Sequence, residues 1–157
     1  MMNIEEYEWF MKLALEQAEK AASMDEVPVG AVLVDPAGKI FCESHNYKEV
    51  KKNPCSHAEI EVIIQASERL GDWRLDGYSL FVTLEPCAMC AGAIIHSRLK
   101  NVIFGAYDPK GGVLSSSMNI WGNPNLNHKI NVMGGVMHFE CSKILSNFFK
   151  QRRNGYV

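Results

Sequence analysis

The sequence predicts a three-layer α/β fold in which helices flank one mixed five-stranded sheet. Two short apolar runs, separated by the turn signal Asp-Pro-Ala-Gly at residues 35–38, predict an opening β-hairpin. Beyond it, apolar runs of strand length alternate with longer segments in which apolar residues recur every three or four positions, as in amphipathic helices. Such alternation is typical of helices packed against a single sheet.

Periodicity and turn residues place the individual elements along the chain. Ser56 is predicted to cap the second helix, with Glu59 as its capping-box partner, and Gly71 is predicted to end it. The segment 108–129 is rich in Gly, Ser, Asn and Pro, and a loop of that length usually carries function. In chain order, the predicted elements are a helix over 4–22, strands over 31–34 and 40–44, a helix over 57–70, a strand over 78–83, a helix over 87–97, strands over 102–104 and 130–133, and a helix over 139–153.

Composition restricts the class of protein. With 157 residues, 47% of them hydrophobic, the chain can bury one sizeable core, so residues 1–157 are predicted to form a single domain. The acidic start is unlike a signal peptide and no apolar run could span a bilayer, so a cytoplasmic protein without membrane association is expected. A net charge of −2 argues against a strongly basic surface, although Arg152 and Arg153 give the C-terminal end a basic bias.

The most informative pattern is a histidine and a glutamate, followed about thirty residues later by a cysteine pair. His57 and Glu59 stand two residues apart, and Cys87 and Cys90 belong to the segment Pro-Cys-Ala-Met-Cys at residues 86–90. One imidazole and two thiolates are three metal ligands, and no obvious fourth accompanies them. This composition indicates a catalytic zinc site with an open position for a water, and the spacing matches the signature of zinc-dependent nucleobase deaminases.

The predicted helices place these residues at helix N-termini. His57 begins one helix, and Cys87 and Cys90 lie in the first turn of the next, where the helix dipole lowers the thiol pKa and favours thiolates. Two such helix starts can meet at the carboxyl ends of neighbouring strands. Glu59 would lie close to the metal without being a ligand, so it is predicted to carry a proton from water to the substrate nitrogen.

Two other interpretations of the cysteine pair remain open. Cys87 and Cys90 by themselves could be a redox pair. Together with Cys55 and His57 they could form a closed Cys₃His shell, which would make the chain a binding module with structural zinc. Glu59 favours the catalytic site because a structural site needs no carboxylate beside it, although Glu59 could also serve only as a capping-box residue.

At these residues the chain resembles the cytidine and deoxycytidylate deaminase superfamily, and it is most similar to the bacterial tRNA-specific adenosine deaminases. The similarity covers nearly the whole chain. Beyond the zinc signature, His-Ser-Arg at 96–98, Asn-His at 127–128 and Phe-Phe-Lys-Gln-Arg-Arg at 148–153 favour the tRNA branch. The resemblance implies a cytidine-deaminase-like fold and hydrolytic conversion of the wobble adenosine of a tRNA anticodon to inosine.

The resemblance also implies a role for each matching residue. Carried over by position, it assigns the binding of one zinc ion per chain to His57, Cys87 and Cys90, and proton transfer to Glu59. Asn46 would hydrogen-bond the flipped adenine, and Asp108 would hold the RNA near the target nucleotide. The full set of substrate-binding candidates is Val29, Asn46, Asp108, Phe149 and Arg152. Family members are homodimers, so a homodimer that binds the anticodon stem-loop of a tRNA is expected.

The chain departs from the family pattern in the loop that follows Asp108. After the lysine that corresponds to Lys110, the family often continues with Gly-Ala-x-Gly-Ser, whereas this chain has Gly-Gly-Val-Leu-Ser-Ser-Ser at residues 111–117. Substrate recognition could therefore differ in this loop. The alternative function is deamination of a free base or nucleotide, such as guanine or a cytidine nucleotide, with the same zinc chemistry.

Overall fold

The structure is a computed structural model that describes residues 2–155; Met1, Tyr156 and Val157, which the predicted single domain includes, lie outside the described residues. In chain order the elements are α1 (Ile4–Ser23), β1 (Gly30–Val34), β2 (Ile40–His45), α2 (Ala58–Leu70), β3 (Ser79–Leu84), α3 (Ala88–His96), β4 (Asn101–Ala106), β5 (Asn131–Gly134) and α4 (His138–Asn154). Within residues 2–155, none of the helices combines the length and the apolar character needed to cross a membrane.

The strands form one mixed sheet in the order β2-β1-β3-β4-β5. β1 runs antiparallel to both β2 and β3, whereas β3, β4 and β5 are parallel. The register pairs Gly30 with His45 and Leu84 with Ala106. The beginning of β1 therefore lies at the same edge of the sheet as the ends of β2, β3 and β4. The predicted α/β class with a mixed five-stranded sheet is confirmed.

Alternating side chains of the strands contribute to two separate apolar cores. On β1, Ala31 and Leu33 face the core that α2 and α3 cover, whereas Val32 and Val34 face the core that α1 and α4 cover. All four side chains are fully buried. The helices therefore cover both faces of the sheet, which is the predicted three-layer arrangement.

The observed boundaries differ from the predicted ones by no more than two residues. The largest difference is at β4, which was expected to end at Phe104 and continues to Ala106. Its parallel pairing with β3 extends to the partners Leu84 and Ala106, and this pairing is a tertiary contact that local sequence does not encode. The extra residues bring the end of β4 level with the end of β3.

The start of α2 corrects the predicted capping. His57, not Ser56, is the N-cap residue, and the helix begins at Ala58 without a side-chain cap hydrogen bond among the described residues. Glu59 is therefore not a capping-box partner. The predicted stop is correct, since Gly71 ends the helix with a φ of 72°, a left-handed conformation that favours glycine.

Candidate metal centre and active site

The candidate site lies where two helix N-termini meet the edge of the sheet described above. His57 is the N-cap of α2 and Cys87 is the N-cap of α3, while Cys90 lies in the first turn of α3. Both caps have an extended backbone, so the chain turns from the sheet edge into each helix at the ligand itself. The partial positive charge of the two N-termini favours anionic ligands between them.

Three candidate ligand atoms converge at this point. Nδ1 of His57 lies 3.6 Å from Sγ of Cys87 and 3.6 Å from Sγ of Cys90. Bonds of about 2.3 Å to sulfur and about 2.0–2.1 Å to nitrogen, at a tetrahedral angle, would separate such atoms by about 3.6 Å. The potential ligand atoms of these three side chains all lie within 4.8 Å of one another, and within residues 2–155 this is the group of three or more such side chains that was found. The donor set and the spacing fit a tetrahedral metal ion.

The three side chains of this group shift one another's pKa values. A hydrogen bond with Cys90 is the main cause that lowers the pKa of the Cys87 thiol to about 4, and the contact with His57 lowers it further. The same contact with Cys87 and burial raise the pKa of Cys90. The pKa of His57 is raised, chiefly by its hydrogen bond with Cys87. Cysteine and histidine bind a metal ion in their deprotonated forms, so a metal ion bound here would displace the protons of this group.

Cys55 lies outside the group. It is exposed, and its backbone N–H donates to Oδ1 of Asn53 in a turn before α2. The group of potential ligands found in the described part of the chain consists of His57, Cys87 and Cys90 without it. The arrangement therefore offers three candidate protein ligands, a number typical of catalytic zinc sites, and does not form the closed Cys₃His shell of a structural site.

Glu59 occupies the first turn of α2, immediately beside the ligand group. Its side chain is buried, and burial raises the pKa of its carboxyl group to about 7. A carboxyl group with a pKa near neutrality can both accept and release a proton at the pH of the cell. Its position two residues after His57 keeps it out of the ligand set while leaving it at the site.

A small cavity of about 200 Å³ opens on this group. Val29 and Asn46, which were predicted from sequence as substrate-binding residues, line it together with Asp108. The Asn46 side chain donates to the carbonyl of Val27 and accepts from the N–H of Lys48, so the protein itself holds the amide in place. The tertiary structure thus brings three predicted substrate-binding residues to the cavity that contains His57 and Glu59.

A wider groove of about 1,000 Å³ adjoins the cavity, because Val27, Leu84 and Asp108 line both. The predicted contacts Phe149 and Arg152, on α4, lie along this groove and not in the cavity. Phe149 is exposed. The two candidates on α4 therefore lie along the groove, outside the cavity that contains His57 and Glu59.

Arg152 is held by its own chain. Its guanidinium donates to the backbone carbonyl of Asp25 at 2.5 Å, lies 3.5 Å from the carboxylate of the same residue, and covers the ring of Phe148. These contacts fix the end of α4 against the segment after α1. Any contact of Arg152 with a ligand would share its guanidinium with Asp25.

Sequence reasoning missed three residues of this region. Tyr107 and Lys110 line the groove, and the buried carboxylate of Glu85 lies at the end of β3 beside the cavity. For Glu85 the sequence did offer a signal, since an acidic residue directly precedes the segment Pro-Cys-Ala-Met-Cys at the predicted end of a strand. Glutamate is rarely buried without a partner, so an acidic residue at this position suggests a specific role. Tyr107 had no signal beyond its position next to Asp108, and Lys110 had none beyond its position two residues after Asp108.

The chain is similar to known deaminases over most of its length. The family of MafB19-like deaminases matches residues 4–153 of the chain. The tRNA-specific adenosine deaminase of Bacillus subtilis is 47% identical over 146 residues, which cover 93% of this chain and 90% of that protein. The segment 4–153 that the family matches contains the ligand group, the cavity and the groove.

Two solved structures compare at the level of the fold. One comes from work on A-to-I editing by tRNA:A34 deaminases at the wobble position of transfer RNA; it is 44% identical, with a TM-score of 0.84 over 87% of this chain and 99% of that one. The other, a guanine deaminase from Bacillus subtilis, is 36% identical with a TM-score of 0.61 over 68% of this chain and 66% of that one. The first agrees with this chain over more of its length and more closely in space.

Proposed function

Because the chain belongs to the MafB19-like deaminases and to the family of tRNA-specific adenosine deaminases, we propose that it hydrolyses adenosine to inosine at the wobble position of a tRNA anticodon. The reaction consumes one water and releases one ammonia. The observation that carries the proposal is the placement of a buried carboxylate, Glu59, beside a three-ligand group at a cavity. Residues 1–157 would form one deaminase domain.

The metal that fits the site is zinc, one ion per chain, held by His57, Cys87 and Cys90. Two sulfurs and one imidazole nitrogen are the ligands zinc prefers, and the spacing of 3.6 Å between nitrogen and sulfur matches its bond lengths. When bound, zinc supplies Lewis-acid chemistry that lowers the pKa of water so that hydroxide is available near neutral pH.

The residues of the chain supply proton transfer and positioning. The oxygen of the attacking water bonds to C6 of the adenine, and the bond between C6 and the amino nitrogen breaks. Glu59 accepts a proton from that water and delivers one to the amino nitrogen, which leaves as ammonia, while the other proton of the water stays with the base. Asn46 keeps a free amide proton beyond its bond to Val27 and can donate it to the base. Burial of Glu59 in the cavity keeps bulk water away from the carboxylate.

The shape of the site suits a base that is turned out of a nucleic acid. The cavity of about 200 Å³ is smaller than the pockets of roughly 300–1,000 Å³ that hold drug-sized ligands. A single base would fill it, and the rest of the RNA would lie in the adjoining groove, where Phe149 can stack on a neighbouring base. An anticodon loop presents its bases largely unpaired, so the cost of turning one out is small.

A homodimer and a cytoplasmic location accompany this proposal. A homodimer is supported by the family resemblance and by exposed apolar side chains along and just after α2, namely Ile64, Leu70 and Trp73, which a second copy would cover. Sedimentation of the purified chain measures its mass directly and would show a monomer if the proposal were wrong. A tRNA substrate agrees with the cytoplasmic location expected from sequence.

The second candidate function is deamination of guanine, which the similarity to a guanine deaminase favours. The cavity chemistry would be the same, because only the recognition of the substrate beyond the amino group differs. The groove has no role for a free base, whereas an RNA needs it. The sequence similarity to the tRNA-specific relative is also higher and extends over more of the chain.

The deciding experiment compares substrates for one zinc-loaded preparation. The protein is incubated with an anticodon stem-loop that has adenosine at the wobble position, with the same stem-loop carrying guanosine there, with free guanine and with a cytidine nucleotide. We expect ammonia release and inosine formation only with the first. Guanine turnover without reaction of the stem-loop would establish the second candidate function instead.

A further inference from the structure

Glu85 is a buried carboxylate that the mechanism above does not use. It follows the last residue of β3, only 2% of its surface is exposed, and its backbone N–H donates to the carbonyl of Ala106 at 2.8 Å. None of the ion pairs found among residues 2–155 involves it. A buried carboxylate without a cation is costly unless hydrogen-bond donors surround it.

The donors that surround it all come from the loop after β4. Oε1 of Glu85 accepts from the N–H of Asp108 at 3.3 Å and from the hydroxyl of Ser116. Oε2 accepts from the N–H groups of Leu114, Ser115 and Ser116 at 3.2, 3.0 and 3.0 Å. Successive N–H groups that converge on one oxygen form an anion-binding concavity. Here the anion is a side chain of the same protein.

The backbone of the loop approaches this carboxylate closely at Gly112. A Cβ atom at that position would lie 2.3 Å from Cδ and 2.4 Å from Oε2 of Glu85, distances at which atoms overlap. The loop is also tied to the same strand end by the N–H of Val113, which donates to the carbonyl of Pro86 at 3.1 Å. Residues 108–116 therefore wrap around the Glu85 side chain.

The same loop forms the wall between the two parts of the proposed substrate site. Asp108 lines both the cavity and the groove, and Lys110 and Gly111 line the groove. The carboxylate of Asp108 accepts from the N–H groups of Lys110 and Gly111, so its own direction depends on the path of the loop. Ser116, whose hydroxyl contacts Glu85, belongs to the segment in which this chain departs from the family pattern.

We propose that Glu85 is a positioning residue for substrate: its carboxylate fixes residues 108–116 beside the cavity and so determines the affinity for the RNA that the groove receives. Glu85 acts through the loop and not on the reacting atoms. Loss of its hydrogen bonds would leave the loop to be ordered when RNA binds, which reduces affinity more than the rate of the bound complex. The identity of the substrate in this inference rests on the proposed function. The role of Glu85 in holding the loop rests only on the hydrogen bonds described above.

The test uses full-length zinc-loaded protein with Glu85→Gln, Ser116→Ala and the matched control Ser115→Ala. Glutamine keeps the shape but places an NH₂ group against N–H donors. Ser116→Ala removes only the hydroxyl contact, and Ser115→Ala leaves every backbone donor in place. Three quantities are measured: zinc content, KM and kcat for the wobble-adenosine stem-loop, and amide hydrogen exchange of residues 108–116.

We expect E85Q to retain zinc, to exchange the amides of residues 114–116 faster, and to raise KM by about tenfold or more with kcat changed by less than about threefold. S116A should raise KM by a smaller factor, and S115A should behave as the unaltered protein. An unchanged KM in E85Q, or a fall in kcat alone, overturns the proposal. If E85Q does not fold, an unchanged KM in S116A overturns it.

Hydrogen exchange is measured without substrate turnover. The experiment can therefore contradict the proposed function and the role of Glu85 separately. An unaltered protein that leaves the stem-loop unreacted contradicts the proposed function. Unchanged exchange at residues 114–116 in a folded E85Q variant contradicts the role of Glu85, whatever the substrate.

Discussion

Nδ1 of His57 lies 3.6 Å from Sγ of Cys87, although 30 positions separate the two residues in the chain. α2 and α3 begin at these residues, and the two helices pack on the same face of the sheet with their N-termini at one edge. The contact therefore depends on how α2 and α3 are placed on the sheet.

Removal of either cysteine should release the metal. We expect about one zinc per chain in the purified protein and, in Cys87→Ser or Cys90→Ser, a loss of most of it, because two protein ligands hold zinc far less tightly than three. Inductively coupled plasma mass spectrometry measures the content. Cys55→Ser is the matched control and should keep its zinc, since Cys55 is exposed and outside the ligand group. Loss of zinc from that variant would instead support the closed Cys₃His site.

Glu59→Gln should retain zinc and fold but lose turnover. A general acid–base group contributes about 10²–10⁴-fold to the rate, so kcat for the wobble-adenosine stem-loop should fall by that factor. Single-turnover kinetics measure it directly. Glu68→Gln, an exposed position on the same helix, is the control and should leave kcat within about twofold. Normal turnover by the Glu59 variant would remove this residue from the mechanism.

Substitution of the two adjacent phenylalanines of α4 should have different effects, one on RNA binding and the other on stability. Phe149 is 45% exposed and lines the groove, whereas Phe148 is 7% exposed. Phe149→Ala should weaken binding of the stem-loop by about 1–3 kcal/mol if it stacks on a base, with little change in the free energy of unfolding. Fluorescence anisotropy and urea denaturation measure the two quantities.

Phe148→Ala is the comparison for that experiment. It should lower the free energy of unfolding by about 3–5 kcal/mol, as is usual for removal of a buried aromatic ring. An equal loss of stability in both variants, with RNA binding intact in Phe149→Ala, would show that Phe149 has only a structural role.

Gly112→Ala should destabilise the loop around Glu85. The added methyl group would overlap the Glu85 carboxylate, and overpacking of this kind costs about 1–3 kcal/mol. Thermal unfolding and hydrogen exchange of residues 108–116 measure the effect. Gly92→Ala on α3 is the matched control, because a Cβ there has no described atom within 4 Å and alanine favours a helix. Equal stability of the two variants would contradict the close packing of Gly112 on Glu85.

Local patterns determined much of the fold. The spacing of apolar residues and the turn at residues 35–38 located every helix and strand to within two residues, because amphipathic periodicity reflects which face an element must bury. The prediction was wrong about the capping of α2. The capping box predicted at Ser56 and Glu59 follows from local sequence, but the observed N-cap is His57 and Glu59 is buried at the site.

The sequence by itself determined the chemistry of the candidate site, because His57, Glu59, Cys87 and Cys90 are recognisable by residue type and spacing alone. Only the tertiary structure excluded Cys55 from the ligand group, placed Asn46 and Asp108 in one cavity, and surrounded Glu85 with the loop after β4. These relationships join residues from different strand ends and loops. They depend on strand order and register, which arise from contacts between distant parts of the chain and have no local signature.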